Sequence, residues 1–445
     1  MKGFLVLIFL VSFLFPSSFL DLFQVSAGAR QEIIRVPVDY STIQEAINAA
    51  ASGSIILVSS GVYCENLVID KDLTLIGEDR LSTIIDGNRA GTVVYIRADR
   101  VVVNGFTVRN GTEGVYIDHS NDCVISNNII TSNWYSGIFL NRSSSSIIYD
   151  NLISMNGESP PSGGIVVGVG IELSYSNDNV INDNRLIRNI VCGISFYYSN
   201  DNLIVNNTIE ASTSNIQLID AQNNTIHHNN FLSSWSHVDI IGSSSSNIWD
   251  DGSVGNYWDD YTGLDDGSNG RIAGDGVGDT DLPHLGVDNY PLINPLGPIP
   301  VVWENREYPV TLVSNFTVSK FRFVQTEKKI TFTLKGPATV DGFCNITIPR
   351  NLLRGNPWKI LLNTTDITSE AIITESQTYT LIHFTCSNSS TFNVQIIGTW
   401  VIPEYPSPLT LSLFIVFFTF LITLIKTKSC KKSQKCFKSG AGEGT

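Results

Sequence analysis

The chain of 445 residues is short of positive charge. It contains 28 Lys and Arg against 42 Asp and Glu, which gives a formal net charge of −14. Six of the Lys lie after residue 425, so the rest of the chain is more acidic still. Because nucleic acids are bound by basic surfaces, this deficit argues against a nucleic-acid partner. It favours a solvated exterior, or one that collects cations.

Methionine and closely spaced cysteine are also scarce. The chain has two Met and seven Cys, and no CxxC or Cys/His metal-binding spacing occurs. Three Cys far apart in the first half are expected to be small buried apolar residues: Cys64, Cys123 and Cys192. Cys344 and Cys386 fall in one C-terminal domain and could form a disulfide if that domain is extracellular.

Long uncharged apolar runs occur only near the ends of the chain. Residues 1–27 pass from one Lys through an apolar stretch to small residues, which predicts a secretory signal cleaved after Ala27. An uncleaved N-terminal anchor is the alternative. Residues 409–425 have nearly the length of a membrane span, and the Lys-rich tail 426–445 follows, which predicts a single transmembrane helix with the tail inside. The preceding Pro-rich residues 403–408 are either a stiff linker or a sorting-type motif. The remainder is expected on the extracellular face of the plasma membrane.

A polar phrase recurs with a period of 22 or 23 residues. It reads "HSNDCVISNN" at 119–128, "YSNDNVINDN" at 175–184 and "YSNDNLIVNN" at 198–207. Apolar residues stand two apart within it and no helical stretch intervenes, which is typical of short strands with one buried face. Several such strands per period describe one coil of a parallel β-helix. A leucine-rich repeat has a similar period, but its L-x-x-L-x-L-x-x-N spacing is absent.

The period predicts columns of like residues, because stacked coils lie about 4.8 Å apart. The coils align on the register positions Gly114, Gly137, Gly170, Gly193, Asn215 and His237. One predicted interior column is Ile125, Ile148, Ile181, Ile204, Ile226 and Ile248. A ladder of hydrogen-bonded amides is predicted for Asn128, Asn151, Asn184, Asn207 and Asn229. Phe106 takes the Asn position in an earlier coil, and Asp251 is expected to take it after the last rung.

The start of the repeat region resembles a known family. "STIQEAINAA" (41–50) predicts a short helix with a capping box, suited to covering the first coil. This segment, "GSIILVSSGVYCENLVIDKDLTLIGE" and the N-x-I-x-N-N-x-I coils resemble the pectin-lyase-like β-helix proteins of the NosD type. "GNYWDDYTG…GDGVGDT…VDNYPL" (255–292) is similar to the closing segment of archaeal cell-surface members. The resemblance implies a right-handed parallel β-helix but no single activity, since this fold hosts lyases, hydrolases, epimerases and adhesins.

The predicted fold class is all-β. A parallel β-helix of about nine coils is expected over residues 28–262, with ten extra residues around 157–164 in the third coil. An Asp/Gly-rich capping segment is expected over 263–297. Residues 298–402 alternate apolar and polar in short runs, which predicts a β-sandwich of about seven strands.

Two carboxylates are candidates for glycan cleavage. Asp118 and Glu172 would lie on outward positions two coils apart, roughly 9.6 Å along the axis, near the upper end for an inverting glycosidase pair. Scattered exposed acids are the alternative interpretation. The Gly-His-Gly turn and Arg-x-Lys pair of pectin-degrading enzymes are absent. A polysaccharide lyase or glycoside hydrolase is therefore the alternative hypothesis.

Aromatic residues favour a binding function. Tyr175, Tyr197 and Tyr198 are predicted at one turn of the coil, beside Asn and Asp, where ring faces could stack on sugars. Scattered surface aromatics are equally compatible with this pattern. The leading hypothesis is a membrane-anchored, non-catalytic extracellular protein that either binds carbohydrate or has a cell-envelope or adhesion role. Polysaccharide or envelope glycans are the expected partners.

Two metal hypotheses remain. An Asp/Gly-rich loop could bind a structural Ca²⁺ through closely spaced carboxylates, or it could simply be solvated. Its candidate ligands are Asp265, Asp266, Asp275, Asp279 and Asp281. The resemblance to NosD also implies a role in copper-site maturation, for which His227, His228 and His237 are the closest group of soft ligands in coil terms.

Overall fold

The computed structural model describes residues 32–157, 168–211, 213–303, 306–387 and 389–402. The expected signal, most of the third-coil insertion, and the linker, transmembrane segment and tail lie outside these ranges. Within them, no helix is both long and apolar enough to cross a membrane.

Three parallel sheets in the described residues form a β-helix of the right-handed type. Strands are numbered in chain order. The first sheet contains β1 (Ile33–Val36), β2 (Ser54–Val58), β5 (Leu73–Gly77), β8 (Val102–Asn104), β11 (Val124–Ser126), β14 (Ile147–Tyr149), β17 (Val180–Asn182), β20 (Leu203–Val205) and β23 (Thr225–His227). The second contains β4 (Leu67–Ile69), β7 (Val94–Ile96), β10 (Val115–Asp118), β13 (Ser136–Asn141), β16 (Val169–Ser174), β19 (Cys192–Tyr197), β22 (Ser214–Ile219) and β25 (Ser236–Ile241). The third contains β3 (Gly61–Tyr63), β6 (Thr83–Asp86), β9 (Thr107–Arg109), β12 (Ile129–Thr131), β15 (Leu152–Ser154), β18 (Arg185–Asn189), β21 (Thr208–Ala211), β24 (Asn230–Leu232) and β26 (Tyr257–Trp258).

The predicted interior column is confirmed from Ile125 to Ile226, because these residues pair in register and are buried. The prediction for Ile248 is wrong. Ile248 bridges to Thr225, one residue out of register, and is 52% exposed. The larger Trp249 enters the core instead.

The amide ladder is confirmed from Asn128 to Asn229. At each rung the backbone N–H and Nδ2 both donate to Oδ1 of the Asn one coil further on, as in Asn128 to Asn151 at 3.0 and 3.2 Å. Phe106 begins the ladder, since its N–H donates to Asn128 Oδ1. Asp251 does not continue it. Asn256 does, because the spacing after Asn229 grows to 27 residues.

The repeated phrase supplies three bends and three buried ladder residues per copy. In "YSNDNVINDN", Tyr175, Asp178 and Asp183 have positive φ and turn the chain directly before Ser176, Asn179 and Asn184. Short polar residues such as Asp178 and Asp183 tolerate this left-handed conformation best. Two further ladders, not predicted from the sequence, run through the first two of these bends. They stack Ser143 on Ser176 on Ser199 and Asn179 on Asn202 on Asn224.

A short helix, α1 (Ile43–Ala49), is present where the capping-box sequence predicted one. Thr42 and Glu45 form that box. The apolar face of α1 joins the β-helix core through Ile43, Ala46 and Ile47. Glu65 accepts hydrogen bonds from two N-terminal N–H groups of the helix, which also suits the helix dipole.

Residues 299–402 form a small antiparallel β domain, with more strands in its described part than the seven predicted, because several strands are only two residues long. One sheet contains β27 (Ile299–Trp303), β28 (Arg306–Ser314), β31 (Gly342–Pro349), β36 (Tyr379–Cys386) and β35 (Ile372–Glu375). The other contains β29 (Thr317–Val324), β30 (Lys329–Lys335), β37 (Thr391–Ile397), β33 (Lys359–Leu362) and β34 (Thr365–Asp366). A separate pair is β32 (Leu353–Arg354) and β38 (Trp400–Val401), and 3-10 turns lie at Ser268–Gly270 and Gln325–Glu327.

The disulfide predicted between Cys344 and Cys386 is not present. Both residues are buried free thiols. Cys344 lies opposite Phe384, and Cys386 lies opposite Gly342, so the two Cys are diagonal rather than directly paired across β31 and β36.

The antiparallel domain packs directly on the last coils of the β-helix. Tyr257 Oη donates to Val318 O at 3.1 Å, and Thr317 Oγ1 donates to Gly263 O at 2.6 Å. Leu232 and Tyr257 of the β-helix belong to the core of the antiparallel domain. A cleft therefore forms where the two domains meet.

Candidate functional site

An aromatic column runs along the outward face of the second sheet. Strand register places Tyr95, Tyr116, Phe139 and Glu172 in successive coils of this column. The ring centroids of Tyr95 and Tyr116 are 5.2 Å apart, and those of Tyr116 and Phe139 are 4.8 Å apart. We call this surface the sheet-2 face. Its three aromatic residues were not among the ligand-binding candidates predicted from the sequence, although "VYI" at both 94–96 and 115–117 was an available signal.

The candidate Asp118 lies beside this column and is held by three hydrogen bonds. Tyr95 Oη donates to its Oδ2 at 2.8 Å, while Asn141 Nδ2 at 2.9 Å and His119 Nδ1 at 2.7 Å contact Oδ1. Burial raises the pKa of Asp118, but these hydrogen bonds outweigh it and hold the pKa below its ordinary value. Asp118 is therefore ionised and well oriented.

The second candidate, Glu172, belongs to a different column. It pairs in register with Phe139, whereas Asp118 pairs with Asn141. Its Oε2 accepts a hydrogen bond from Ser136 Oγ at 2.6 Å. Burial raises the pKa of Glu172, and the Glu113 carboxylate adds to the increase. The structure therefore places both carboxylates on one face without aligning them in one column.

The three Tyr predicted to bind ligand do come together. The rings of Tyr175 and Tyr198 are nearly parallel, with centroids 5.3 Å apart and planes at 4°. Tyr197 stands perpendicular to both rings, and the Arg142 guanidinium carbon lies 5.9 Å from the Tyr175 ring centroid. The three Tyr side chains are 41–47% exposed. We call these four residues the corner cluster.

The corner cluster is continuous with the sheet-2 face. Tyr197, the last residue of β19, lies in the column that begins with Asp118, and Tyr198 follows it at the bend. From Tyr95 to Tyr198 the surface spans five coils, roughly 19 Å at 4.8 Å per coil. It presents aromatic rings beside carboxylate, amide and guanidinium groups.

A protein-family model described as "Periplasmic copper-binding protein (NosD)" matches residues 47–263, the part that forms the coils. The coils are therefore similar to the parallel β-helix of the NosD family. A cell surface glycoprotein of Methanothermus fervidus is 29% identical over 102 residues, a match that spans 22% of this chain and 17% of the relative.

Two solved structures are similar to this chain in outline. The alginate lyase of Paenibacillus sp. str. FPU-7 is 14% identical, covering 51% of this chain and 97% of the lyase, with a TM-score of 0.34. The Dettilon tailspike protein (gp208) is 15% identical, covering 82% of this chain and 94% of the tailspike, with a TM-score of 0.38. Similarities this low carry no statement about activity.

The three His proposed for copper are not brought together as a ligand set. His227 and His228 contact each other through their Nδ1 atoms at 2.5 Å, at the end of the first sheet. His237 lies on β25 of the second sheet. Among the described residues, one group of three Asp, Glu, Cys or His side chains has its ligand atoms within 4.8 Å of one another. It consists of His237, Asp259 and Asp260.

Hydrogen bonding around His237 disfavours a metal ion there. Asn215 Oδ1 accepts from Ala211 N–H at 3.0 Å, so Asn215 Nδ2 must be the atom that faces His237 Nδ1 at 2.8 Å. His237 Nδ1 is therefore an acceptor, and in the neutral ring Nε2 carries the proton. That Nε2–H contacts Asp259 Oδ1 at 3.0 Å. The nitrogen facing the carboxylates is a donor, and the group forms a hydrogen-bond network.

Four of the five Asp proposed for calcium act as acceptors for the turns of their own loop. Asp265 accepts from the N–H groups of Gly274 and Gly276, and the buried Asp279 accepts from Gly267 N–H at 2.6 Å. Asp266 and Asp275 each accept an N–H two residues ahead, and Asp281 has positive φ. No three of these carboxylates lie within 4.8 Å of one another in the described loop. Calcium binding stays a prediction, to be tested by melting the protein with millimolar Ca²⁺ and with chelator.

Proposed function

We propose that this protein is an extracellular, non-catalytic glycan-binding protein. The observation that carries the proposal is the corner cluster, in which three half-exposed Tyr and Arg142 continue the aromatic column of the sheet-2 face. Because Tyr197 stands perpendicular to its neighbours, ring faces are offered in two directions. Sugar rings pack on aromatic faces and hydrogen-bond at their edges, for which Asp118 and Asn141 are placed alongside.

The names of similar proteins support an extracellular location. The matching family is described as periplasmic, and the relative from Methanothermus fervidus is a cell surface glycoprotein. We also propose that helix α1 covers the first coil and that residues 409–425 anchor the protein in the membrane. The anchor rests on sequence alone.

A non-catalytic role is supported by the state of Asp118. Its carboxylate oxygens already receive hydrogen bonds from Tyr95, Asn141 and His119, and its lowered pKa disfavours proton donation. A general acid or base must reach the proton that it transfers, and the Asp118 oxygens are already engaged by these three partners.

A glycoside hydrolase or lyase is the second candidate function. It is favoured by the opposite pKa shifts of Asp118 and Glu172, since environments that separate the pKa values of two carboxylates are typical of acid–base pairs. In that case Glu172 would supply the proton and Asp118 would stay ionised.

A glycan array probed with the full chain tests the proposal, together with an assay of reducing-end release on every retained polysaccharide. We expect retention without release of new ends. Release that is lost in Asp118→Asn would replace the proposal with the enzymatic alternative. Failure to retain any glycan would contradict both.

A further inference from the structure

Two adjoining clefts lie between the last β-helix coils and the antiparallel domain, with volumes of about 690 and 560 Å³. Ser234, Trp235 and Arg322 line both of them. The β-helix contributes the loop between β24 and β25, and the other domain contributes β27 and β29. Clefts of this size at domain interfaces are common ligand sites. We call the two together the interdomain cleft.

Trp235 lies at the junction of the two clefts and is 95% exposed, more than any other large apolar side chain among the described residues. Burying an indole would stabilise the fold, but Trp235 is almost fully exposed and gains little of that stabilisation. Phe231 and Leu232 are buried at the end of β24, and Ser233 N–H donates to Asp259 Oδ2 at 2.7 Å, so the loop is held at its start while its Trp projects outward. An exposed indole held in this way can pack against the ring of a ligand.

Two cations of β29 face the same space. Lys320 and Arg322 are exposed and line the cleft, while Phe321 between them is buried in the domain core. The pairing of β29 with β30 shifts register between Ser319 and Arg322, and Lys320 has a φ of 55°. Such a bulge changes where side chains point. Here it directs both cations toward the β-helix.

The carboxylates and the cations that line the cleft differ in whether they have a partner. Each lining carboxylate has a partner: Glu210 pairs with Arg188 at 4.0 Å, Asp259 with His237 at 3.0 Å and Asp260 with His284 at 2.9 Å. Lys320 and Arg322 form no ion pair within 4.0 Å with any described residue, although Arg322 acts on Glu210 electrostatically. Two of the three Lys and Arg side chains that line the cleft are therefore without an ion pair among the described residues, whereas its three carboxylates are all engaged.

We propose that the interdomain cleft binds an anionic saccharide, whose ring packs on Trp235 and whose carboxylate or sulfate group is held by Arg322 and Lys320. Guanidinium binds such planar or tetrahedral anions through paired, charge-assisted hydrogen bonds. A neutral sugar would use the indole but leave both cations unpaired. This site is separate from the sheet-2 face and does not depend on it.

Calorimetric titration of the full chain tests the proposal with three tetrasaccharides: one of galacturonate, one of sulfated galactose and one of neutral galactose. We expect at least one charged tetrasaccharide to bind tenfold or more tightly than the neutral one. The two charged sugars show which anion is preferred. Binding should weaken as salt concentration rises, because the cations are exposed.

Arg322→Gln and Trp235→Ala should each weaken this binding at least tenfold. The matched control is Lys359→Gln, which removes an exposed cation of the same domain outside the cleft and should have no effect. Melting curves check folding, which these exposed positions should leave unchanged. Equal affinity for the neutral sugar, equal binding by Arg322→Gln, or no binding of any tetrasaccharide would overturn the proposal. A double variant, Tyr175→Ala with Tyr198→Ala, should leave the titration unchanged, which separates this site from the corner cluster.

Discussion

At the scale of single residues, buried polar side chains decide where each coil bends and where the stack ends. An Asn rung both donates and accepts, so a ladder made only of Asn has no natural end. Asp288 provides one. Its carboxylate accepts from the N–H of Asn256 and Nε1 of Trp258, both at 2.8 Å, and from Tyr290 N–H at 2.9 Å, with no donor of its own to satisfy.

Asp288→Ala should therefore destabilise the protein strongly. The change leaves two buried donors and one half-buried donor without an acceptor, and an orphaned buried group costs about 1–3 kcal/mol. We expect a loss of roughly 3 kcal/mol or more in the free energy of unfolding, measured by urea denaturation. Asn289→Ala, at the exposed neighbouring position, is the control, because its side chain makes only an exposed hydrogen bond to Asp250. A loss below about 0.5 kcal/mol for Asp288→Ala would show that the ladder does not need this end.

Glu172 should make stability depend on pH. Its pKa in the folded protein lies above its ordinary value of 4.5, so the folded state holds the proton more tightly than the unfolded state. Its contribution to stability is complete below pH 4.5 and is lost as pH rises through the folded pKa. Glu172→Gln should remove this loss. Its free energy of unfolding should therefore exceed that of the wild type by more at pH 7 than at pH 4.

Ser136→Ala provides the companion measurement. Ser136 donates to Glu172 and favours its charged form, so removing the hydroxyl should enlarge the loss of stability with rising pH. Melting temperatures of the three proteins between pH 4 and pH 8 would decide the matter. Parallel curves would contradict this account of Glu172.

At the scale of strands and coils, the register position carries Gly because adjacent coils approach closely there. A Cβ at Gly170 would lie 2.6 Å from the carbonyl oxygen of Gly193 in the next coil. Gly114 and Gly137 meet the same obstacle. Where the column changes to Asn215 and His237, their side chains hydrogen-bond to each other.

Gly170→Ala should separate two coils locally and cost about 1–3 kcal/mol, the usual cost of overpacking. Gly61→Ala is the matched control, because its Cβ would meet only the Tyr63 ring at 3.4 Å. Thermal melting of both variants measures the difference. Equal melting temperatures would mean that the coils can move apart without loss.

Much of the coil architecture was predictable because a stacked repeat places one residue type under the same constraint many times. The columns that contain Ile125 and Asn128 could therefore be identified from the sequence. Prediction failed where the period broke: extra residues between Asn229 and Asn256 moved Ile248 out of register and made Asp251 a turn residue. The corner cluster was predictable from its column. The cleft was not, because its position depends on how a second domain packs on the last coil.

At the scale of the whole molecule, one acidic solenoid presents two different surfaces. The sheet-2 face and corner cluster offer aromatic rings beside an ionised Asp118, which suits neutral hydroxylated rings. The interdomain cleft offers Trp235 with unpaired cations, which suits anionic ones. Both surfaces lie along the rigid wall of coils, so an extended polymer could contact the protein over many sugar units.

The central claim is that the corner cluster binds glycan without cleaving it. The most direct measurement is the affinity of the full chain for an array-selected neutral glycan, compared with that of Tyr175→Ala combined with Tyr198→Ala. Aromatic contacts are worth about 0.5–1.5 kcal/mol each, so the double variant should bind roughly tenfold or more weakly. Tyr379→Ala, an equally exposed Tyr of the other domain, should bind as the wild type does. Unchanged affinity in the double variant would contradict the claim.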